Sequence, residues 1–414
     1  MSNTIINAWF TLNKDVYVSF NSSIKIILYN TINGNSFITS NAVHIKLIKE
    51  VYNPVNLGVV DLGLYDIADD SIYDFIDEIT KLNIGIIIEK KSENKPMNFL
   101  PILCLQNDIE KLQQSNQEYL IGDNISQYLH SINLIISNKC SHNCTGCDIY
   151  YKQIPSCSKL SDVSFMPLHI IKDIVIKSSY LQVKRINILG GNIIFHPAWN
   201  DLLDFLQEYD FSYHLWFNLN QINDPYYLLS LPFNKEINIS MPFENNTLLE
   251  MIELVNTKKD FTFNFLIEDL SHLELINNIS NNYEINSTIS PIYNKQNLQF
   301  FEENVFLEES DILSEVIEMR KIFCNQKLNS NFFGSLYFLP NGEVKANMNC
   351  PTIGYFQNQS IVELIYNELV NNTTWRRIRD GEKCQECIYR FLCPPTSNYE
   401  IVLKKENLCN LFNS

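Results

Sequence analysis

The period of the hydrophobic positions changes from region to region along the chain. Near the N-terminus, VYVSF (16–20), KIILYN (25–30) and SFIT (36–39) are short runs rich in β-branched and aromatic residues. They read as strands, with Asn33-Gly34 as the hairpin turn between the second and third. Two stretches of helical period follow. The first runs from about Ala42 to Val51; the second starts near Asp69 and places Ile72, Phe75, Ile76 and Ile79 on one face. The strand IGIIIEK (84–90) closes the unit. Three strands, two helices and a final strand make a winged-helix-like domain over residues 1–91, whose plainest role is a structural cap.

Residues 92–131 read as a connector, with Pro96, Pro101 and the polar stretch QNDIEKLQQSNQEY. From residue 132 strand and helix patterns alternate. INLIIS, RINILGG, HLWFNLN, EINISM, FTFNFLI and EINSTIS are separated by helical stretches such as PLHIIKDIVIKSSYL, WNDLLDFLQEYD and NNTLLEMIELVNTK. Alternation of this kind predicts an α/β fold with parallel pairing and right-handed crossovers. Six units over 132–293 suit a partial (β/α)6 barrel rather than a closed eightfold one. Residues 294–323 bridge to a last region, 324–414. It opens on a hairpin about Pro340, Asn341 and Gly342 and has few regular elements after it.

Composition narrows the classes. The 414 residues are 45% hydrophobic, 12% aromatic and 19% charged, with a net charge of −16. This balance argues against a general nucleic-acid or anionic-membrane surface. The opening MSNTIINAWFTLNKDVY lacks the basic and apolar regions of a signal peptide, and no apolar run approaches ~18 residues. The expected compartment is the cytoplasm. In reducing cytoplasm, clustered cysteines point to metal or redox chemistry rather than disulfides.

Nine of the eleven cysteines fall into two groups. Cys140, Cys144 and Cys147 lie mid-chain; Cys324, Cys350, Cys384, Cys387, Cys393 and Cys409 lie near the end. Cys104, within LPILCL, reads as a core residue, and Cys157 as a bystander. The mid-chain set directly follows the first barrel strand, where loops carry the chemistry of such folds. Three thiolates on one loop can hold three corners of a 4Fe–4S cluster and leave one iron open. Zinc with His142 as a fourth ligand is the alternative. Gly190 and Gly191, ending the second strand, either turn the chain or let backbone approach a ligand.

Cys140-x3-Cys144-x2-Cys147, with NILGGN (187–192) downstream, resembles the radical S-adenosylmethionine (SAM) superfamily. The resemblance implies that Gly190, Gly191 and Asn192 match the Gly-Gly-Glu segment that contacts the methionine ammonium of SAM. Asn192 replaces the family's carboxylate, and Gly146 replaces the aromatic residue that helps cover the nucleotide. Losing a charge-assisted bond costs roughly 1.5–3 kcal/mol. Cys384-x2-Cys387-x5-Cys393 followed by Cys409 resembles the SPASM domain of peptide-modifying radical SAM enzymes, which implies a second, auxiliary 4Fe–4S cluster; zinc is again the alternative. A further auxiliary site keeps only Cys324 and Cys350, with Ser397 where a cysteine is usual.

The N-terminal order of elements resembles the RiPP recognition element, in which a leader peptide adds a strand to a sheet edge. Over nearly the whole chain, NILGGN, FFEENVFL, LPNGEVKANMN, WRRIRDGEKCQECIYRFLCPPTSNYE and ENLC resemble the pseudo-radical-SAM proteins of GG-Bacteroidales-type peptide-modification systems. That resemblance implies two partners, a precursor peptide with a Gly-Gly leader and a separate radical SAM maturase. It leaves two activities open. In one, the chain cleaves SAM and abstracts hydrogen from the precursor; in the other, it binds the leader as a non-catalytic partner. The retained cysteines favour the first, and Asn192, Gly146 and the broken auxiliary site favour the second.

Overall fold

The computed structural model describes residues 7–64, 70–91, 94–103, 124–140, 147–154, 165–241, 243, 245–255 and 258–411. Two compact units emerge. One comprises 1–107, 307–328 and 377–396; the other comprises 108–306, 329–376 and 397–414. Residues 324–414 are therefore divided between the two.

The first unit holds six short strands: β1 (Ala8–Leu12), β2 (Val16–Ser19), β3 (Ile26–Asn30), β4 (Ser36–Thr39), β5 (Val59–Asp61) and β6 (Gly85–Glu89). They form two three-stranded sheets, ordered β2-β3-β4 and β5-β1-β6. The strand β1 has no counterpart in the sequence reading, and IGIIIEK pairs with it, Trp9 opposite Ile88, in a sheet of their own. Four of the five β1 residues are buried, on both faces of the strand, so no alternation marks it. Helices α1 (Ala42–Tyr52) and α2 (Asp70–Lys81) cover one core. Asn41 accepts the N–H of Val43 and so caps α1. Ile72, Phe75, Ile76 and Ile79 of α2 are buried with Phe10, Leu28 and Leu47, as the helical period predicts. Gly34, at φ 77°, takes the left-handed position in the β3–β4 turn. The later segments of the chain join this unit through polar clasps. Tyr29 Oη accepts the N–H of Ile317 at 2.7 Å, and Asn325 Nδ2 donates to Phe391 O and Cys393 O at 2.9 and 3.1 Å.

The second unit is a nine-stranded sheet with helices. Its parallel strands are β7 (Ser131–Ser137), β8 (Arg185–Gly190), β9 (Ser212–Asn218), β10 (Asn234–Ser240), β11 (Phe261–Ile267) and β12 (Ser287–Pro291). These are the six strands expected from the alternation. The hairpin is also present, as β13 (Ser335–Phe338) and β14 (Glu343–Lys345), and β15 (Gly354–Tyr355) follows it. β13 lies parallel to β7 and extends the sheet beyond the first strand. The helices used below are α3 (Cys147–Gln153), α4 (Leu168–Ser178), α5 (Trp199–Leu206) and α6 (Ile361–Asn367).

Alternate strand positions serve two different media. Ile132, Leu134, Ile136, Ile186, Ile188, Leu215, Ile237 and Phe263 join the large core that α4 and α5 pack against. The opposite face is polar and largely self-satisfied. Asn187 Nδ2 donates to Asn133 Oδ1 at 2.8 Å, and Trp216 Nε1 donates to Asn187 Oδ1 at 3.2 Å. Glu236 meets His214 at 2.8 Å, Arg185 at 3.1 Å and Asn264 at 3.2 Å. Burial works to raise the Glu236 carboxyl, but these bonds and the Arg185 charge outweigh it and hold the group below its ordinary range.

A second buried carboxylate lies beyond α6. Glu368 is fully buried and accepts the N–H of Trp375, itself fully buried, at 2.6 Å. Burial pushes its carboxyl up to about 7, against the lowering effect of the Trp375 and Thr374 backbone donors. Between the unfolded value of 4.5 and about 7, the folded chain keeps a proton that the unfolded chain has released. Stability should therefore fall as pH rises through that window and level off above it. Glu368→Gln should remove about 3 kcal/mol of this dependence, measured by denaturant unfolding of both proteins at pH 4.5 and 8. Parallel pH profiles would refute the assignment.

Candidate metal centre at the carboxyl end of the sheet

The carboxyl ends of β7, β8 and β9 converge on Cys140. Beyond β7 the chain runs Ser137-Asn138-Lys139-Cys140, and the end of β8 bonds onto it. Gly191 N–H donates to Ser137 O at 2.8 Å, and Asn192 N–H donates to Lys139 O at 2.6 Å. This contact requires both glycines. A Cβ on Gly190, at φ 144°, would lie 2.2 Å from Ser137 O; one on Gly191 would lie 2.1 Å from Lys139 O and 3.1 Å from the Cys140 Cβ. What the bare α-carbons accommodate here is the backbone that carries Cys140.

Asn192 is buried, and its side chain acts locally. Oδ1 accepts the N–H of Ile194 at 3.2 Å, capping the 3₁₀ turn Ile193–Phe195. Next along, His196 is buried and accepts the Ala198 N–H on Nδ1 at 3.2 Å. Nε2 must then carry the proton, which it donates to Met166 O at 2.8 Å. This neutral tautomer pins the turn after β8 to the chain entering α4.

A polar relay that the sequence reading missed completes the cluster of groups. Asn218, ending β9, donates Nδ2 to Gly191 O and to Gln221 Oε1, each at 3.3 Å. Gln221 Nε2 in turn donates to the Cys140 Sγ at 3.3 Å. No motif could have flagged Gln221; the only signal is a run of amides, Asn218, Asn220 and Gln221, just past a strand end.

Cys144, His142 and Gly146 lie outside the described residues, as do Cys104 and Cys157. Cys147, half-buried, starts α3. That helix is anchored at its far end, where Gln153 Nε2 donates to Tyr293 O and Gln153 Oε1 accepts the Tyr293 N–H, both at 2.8 Å. Its first turn carries the Asp148–Lys295 ion pair, whose hydrogen bond holds the Asp148 carboxyl below its ordinary range.

Of the later cysteines, Cys384 and Cys393 are buried and Cys387 is half-buried in the first unit; Cys409 belongs to the second. Cys387 N–H donates to Cys384 O at 3.1 Å, and Cys393 N–H donates to Tyr389 O at 2.8 Å. Burial pushes the Tyr389 phenol up, and the neighbouring Glu309, Cys387 and Cys393 act in the same direction. Cys324 lies in the first unit and Cys350 in the second. Among the described residues no cysteine forms a disulfide, and no three His, Cys, Asp or Glu side chains converge as a metal-binding group. The donor chemistry at Cys140 still suits an iron–sulfur cluster. Cys140 is an exposed residue whose sulfur receives an amide N–H, and Gly191 leaves no Cβ to press on the Cys140 Cβ. No helix among the described residues is long and apolar enough to cross a membrane.

No family model and no curated protein matches the chain. It is similar to crystal structures of Streptococcus suis SuiB. The form bound to precursor peptide SuiA matches at 13% identity over 97% of this chain and 98% of that one, with a TM-score of 0.46. The form bound to S-adenosylmethionine matches at 13% identity over 97% and 99%, with a TM-score of 0.47. BtrN in complex with AdoMet and 2-DOIA matches at 10% identity over 63% of this chain and 92% of that one, with a TM-score of 0.37.

Proposed function

We propose that this chain is an iron–sulfur protein of the radical SAM kind that takes part in maturing a ribosomally made peptide. In this reading it binds the precursor's leader through residues 1–91 and assists a separate radical SAM maturase. The observation that carries it is the clasp of Gly191 and Asn192 onto the Ser137–Cys140 backbone at the carboxyl end of the first parallel strand. Cys140, Cys144 and Cys147 would hold one cluster, and Cys384, Cys387, Cys393 and Cys409 a second. When bound, a cluster with an open iron supplies one electron to a small molecule. The chain's own residues fix the Cys140 sulfur, space the loop and cap the turn beside it.

Asn192 is the residue that favours an assisting role over turnover. Its Oδ1 accepts the Ile194 N–H and carries no charge. A neutral amide oxygen offers an ammonium group a weaker bond than a carboxylate does. The reading in which the chain cleaves SAM itself is favoured by the exposed residue Cys140, whose sulfur is hydrogen-bonded.

Three measurements test this function. Anaerobically purified protein should carry iron and sulfide, and replacing Cys140, Cys144 and Cys147 with Ala should remove about half the iron. Stoichiometric zinc without iron would refute it. Asn192→Glu should tighten SAM binding by about tenfold or more in calorimetry, while loss of the cap lowers stability by about 1 kcal/mol. Equal affinities would mean that the carboxylate is irrelevant.

The third concerns the leader. β4 pairs with β3 alone among the described residues, so its outer edge is open. Asn30 N–H donates to Asn35 O at 2.8 Å, which makes this a hydrogen-bonded pair. By alternation, the Ile27–Ile38 pair is not one, and the Ile38 N–H points to the open edge. Ile38→Pro should then weaken leader binding while leaving the β3–β4 ladder and the circular dichroism unchanged. Exposed Asp74, Asp77 and Glu78 on α2 should make binding of a basic leader weaken with salt. Unchanged affinity for the proline variant would place the leader elsewhere.

A further inference from the structure

The Gln221 amide has a determined direction, although amide oxygen and nitrogen are easily exchanged. A backbone carbonyl only accepts, so the Gly191 O contact requires Asn218 to present its nitrogen. The same Nδ2 faces Gln221, which must therefore present its oxygen. Gln221 is left with its nitrogen toward the Cys140 Sγ. The geometry is held from below. Gln221 is about nine-tenths buried, buried Leu219 and Ile222 flank it, and the Ile222 N–H closes the turn onto Leu219 O at 3.0 Å.

We propose that Gln221 is a positioning residue whose amide N–H sets the electron affinity of the cluster held at Cys140, with Asn218 fixing its orientation. The inference rests on the iron–sulfur reading above. An N–H directed at a ligand sulfur favours the reduced cluster, which carries one more negative charge. The donor is in place before the electron arrives, so no reorientation accompanies reduction. It also serves one ligand in a directed way and ties that ligand to the Gly191 carbonyl, so the redox property is coupled to the segment beside it.

The test is a redox titration of the anaerobic full-length protein, followed by electron paramagnetic resonance. The wave absent from the Cys140, Cys144 and Cys147→Ala protein identifies the cluster concerned. In Gln221→Leu that wave should move to more negative potential, corresponding to a reduction equilibrium constant about tenfold lower or less. Gln221→Glu should move it further in the same direction. Asn218→Leu, which frees the amide to turn, should give a smaller shift of the same sign. The other wave and the iron content should not change. A midpoint equal to wild type in Gln221→Leu with iron retained would overturn the proposal, as would loss of iron with the remaining midpoint unmoved. A wild type with no iron dependent on Cys140 would overturn the iron–sulfur reading and this inference with it.

Discussion

The candidate centre depends on two backbone hydrogen bonds, Gly191 N–H to Ser137 O and Asn192 N–H to Lys139 O. They continue the β7–β8 ladder from the last residue of β7 to the chain beyond it. The register shifts between Ile135 and Ser137, where the pairing reaches Gly190, and the chain then leaves the sheet toward Cys140. A side chain at either glycine would push a carbonyl oxygen by more than an ångström, since Cβ contacts of 2.1–2.2 Å cannot exist. The glycines thus act on the segment that carries Cys140 through its backbone. Any group at Cys140 inherits its position from this contact.

The polar inner face of the sheet follows from a related constraint. Strands buried on both sides usually read as continuous apolar runs, yet Asn133, Asn187, Glu236, Asn238 and Asn264 interrupt these. Burying that many amides is tolerable only when they bond to one another. They do so across neighbouring strands, from Ser335 through Asn133 and Asn187, and from Glu236 through Asn264 to Thr288. Asn238 Nδ2 is an exception, buried without a partner. Such a network fixes strand register more sharply than apolar packing, because a slip of one residue would strand every amide.

This explains which parts of the fold were legible in the sequence. The six parallel strands and their helices were, because the core-facing positions keep their period whatever the inner face holds. The apolar stripe of α2, Ile72, Phe75, Ile76 and Ile79, was legible, since it has one partner surface. β1 was not, because its partners β5 and β6 lie far along the chain and no hairpin turn announces the pairing. The candidate centre was legible as spacing and illegible as geometry. Three cysteines and a Gly-Gly pair announce themselves, but the partners of Gly191 are carbonyl oxygens, which no side-chain pattern encodes. Gln221 acts from a three-residue turn, too short for any periodicity.

Asn192 shows how structure and ligand chemistry compete for one side chain. Asparagine is among the strongest helix-capping residues, because its short amide reaches the N–H two residues on. Glutamate carries one more methylene and caps poorly, but it offers a charged acceptor to an ammonium group. With Asn192, the turn Ile193–Phe195 gains its cap, and that turn positions His196, which holds the chain at Met166. On the proposed reading, an asparagine at this position moves free energy from ligand contact to scaffold. The loop stays organised while the demand on a small-molecule cation is relaxed.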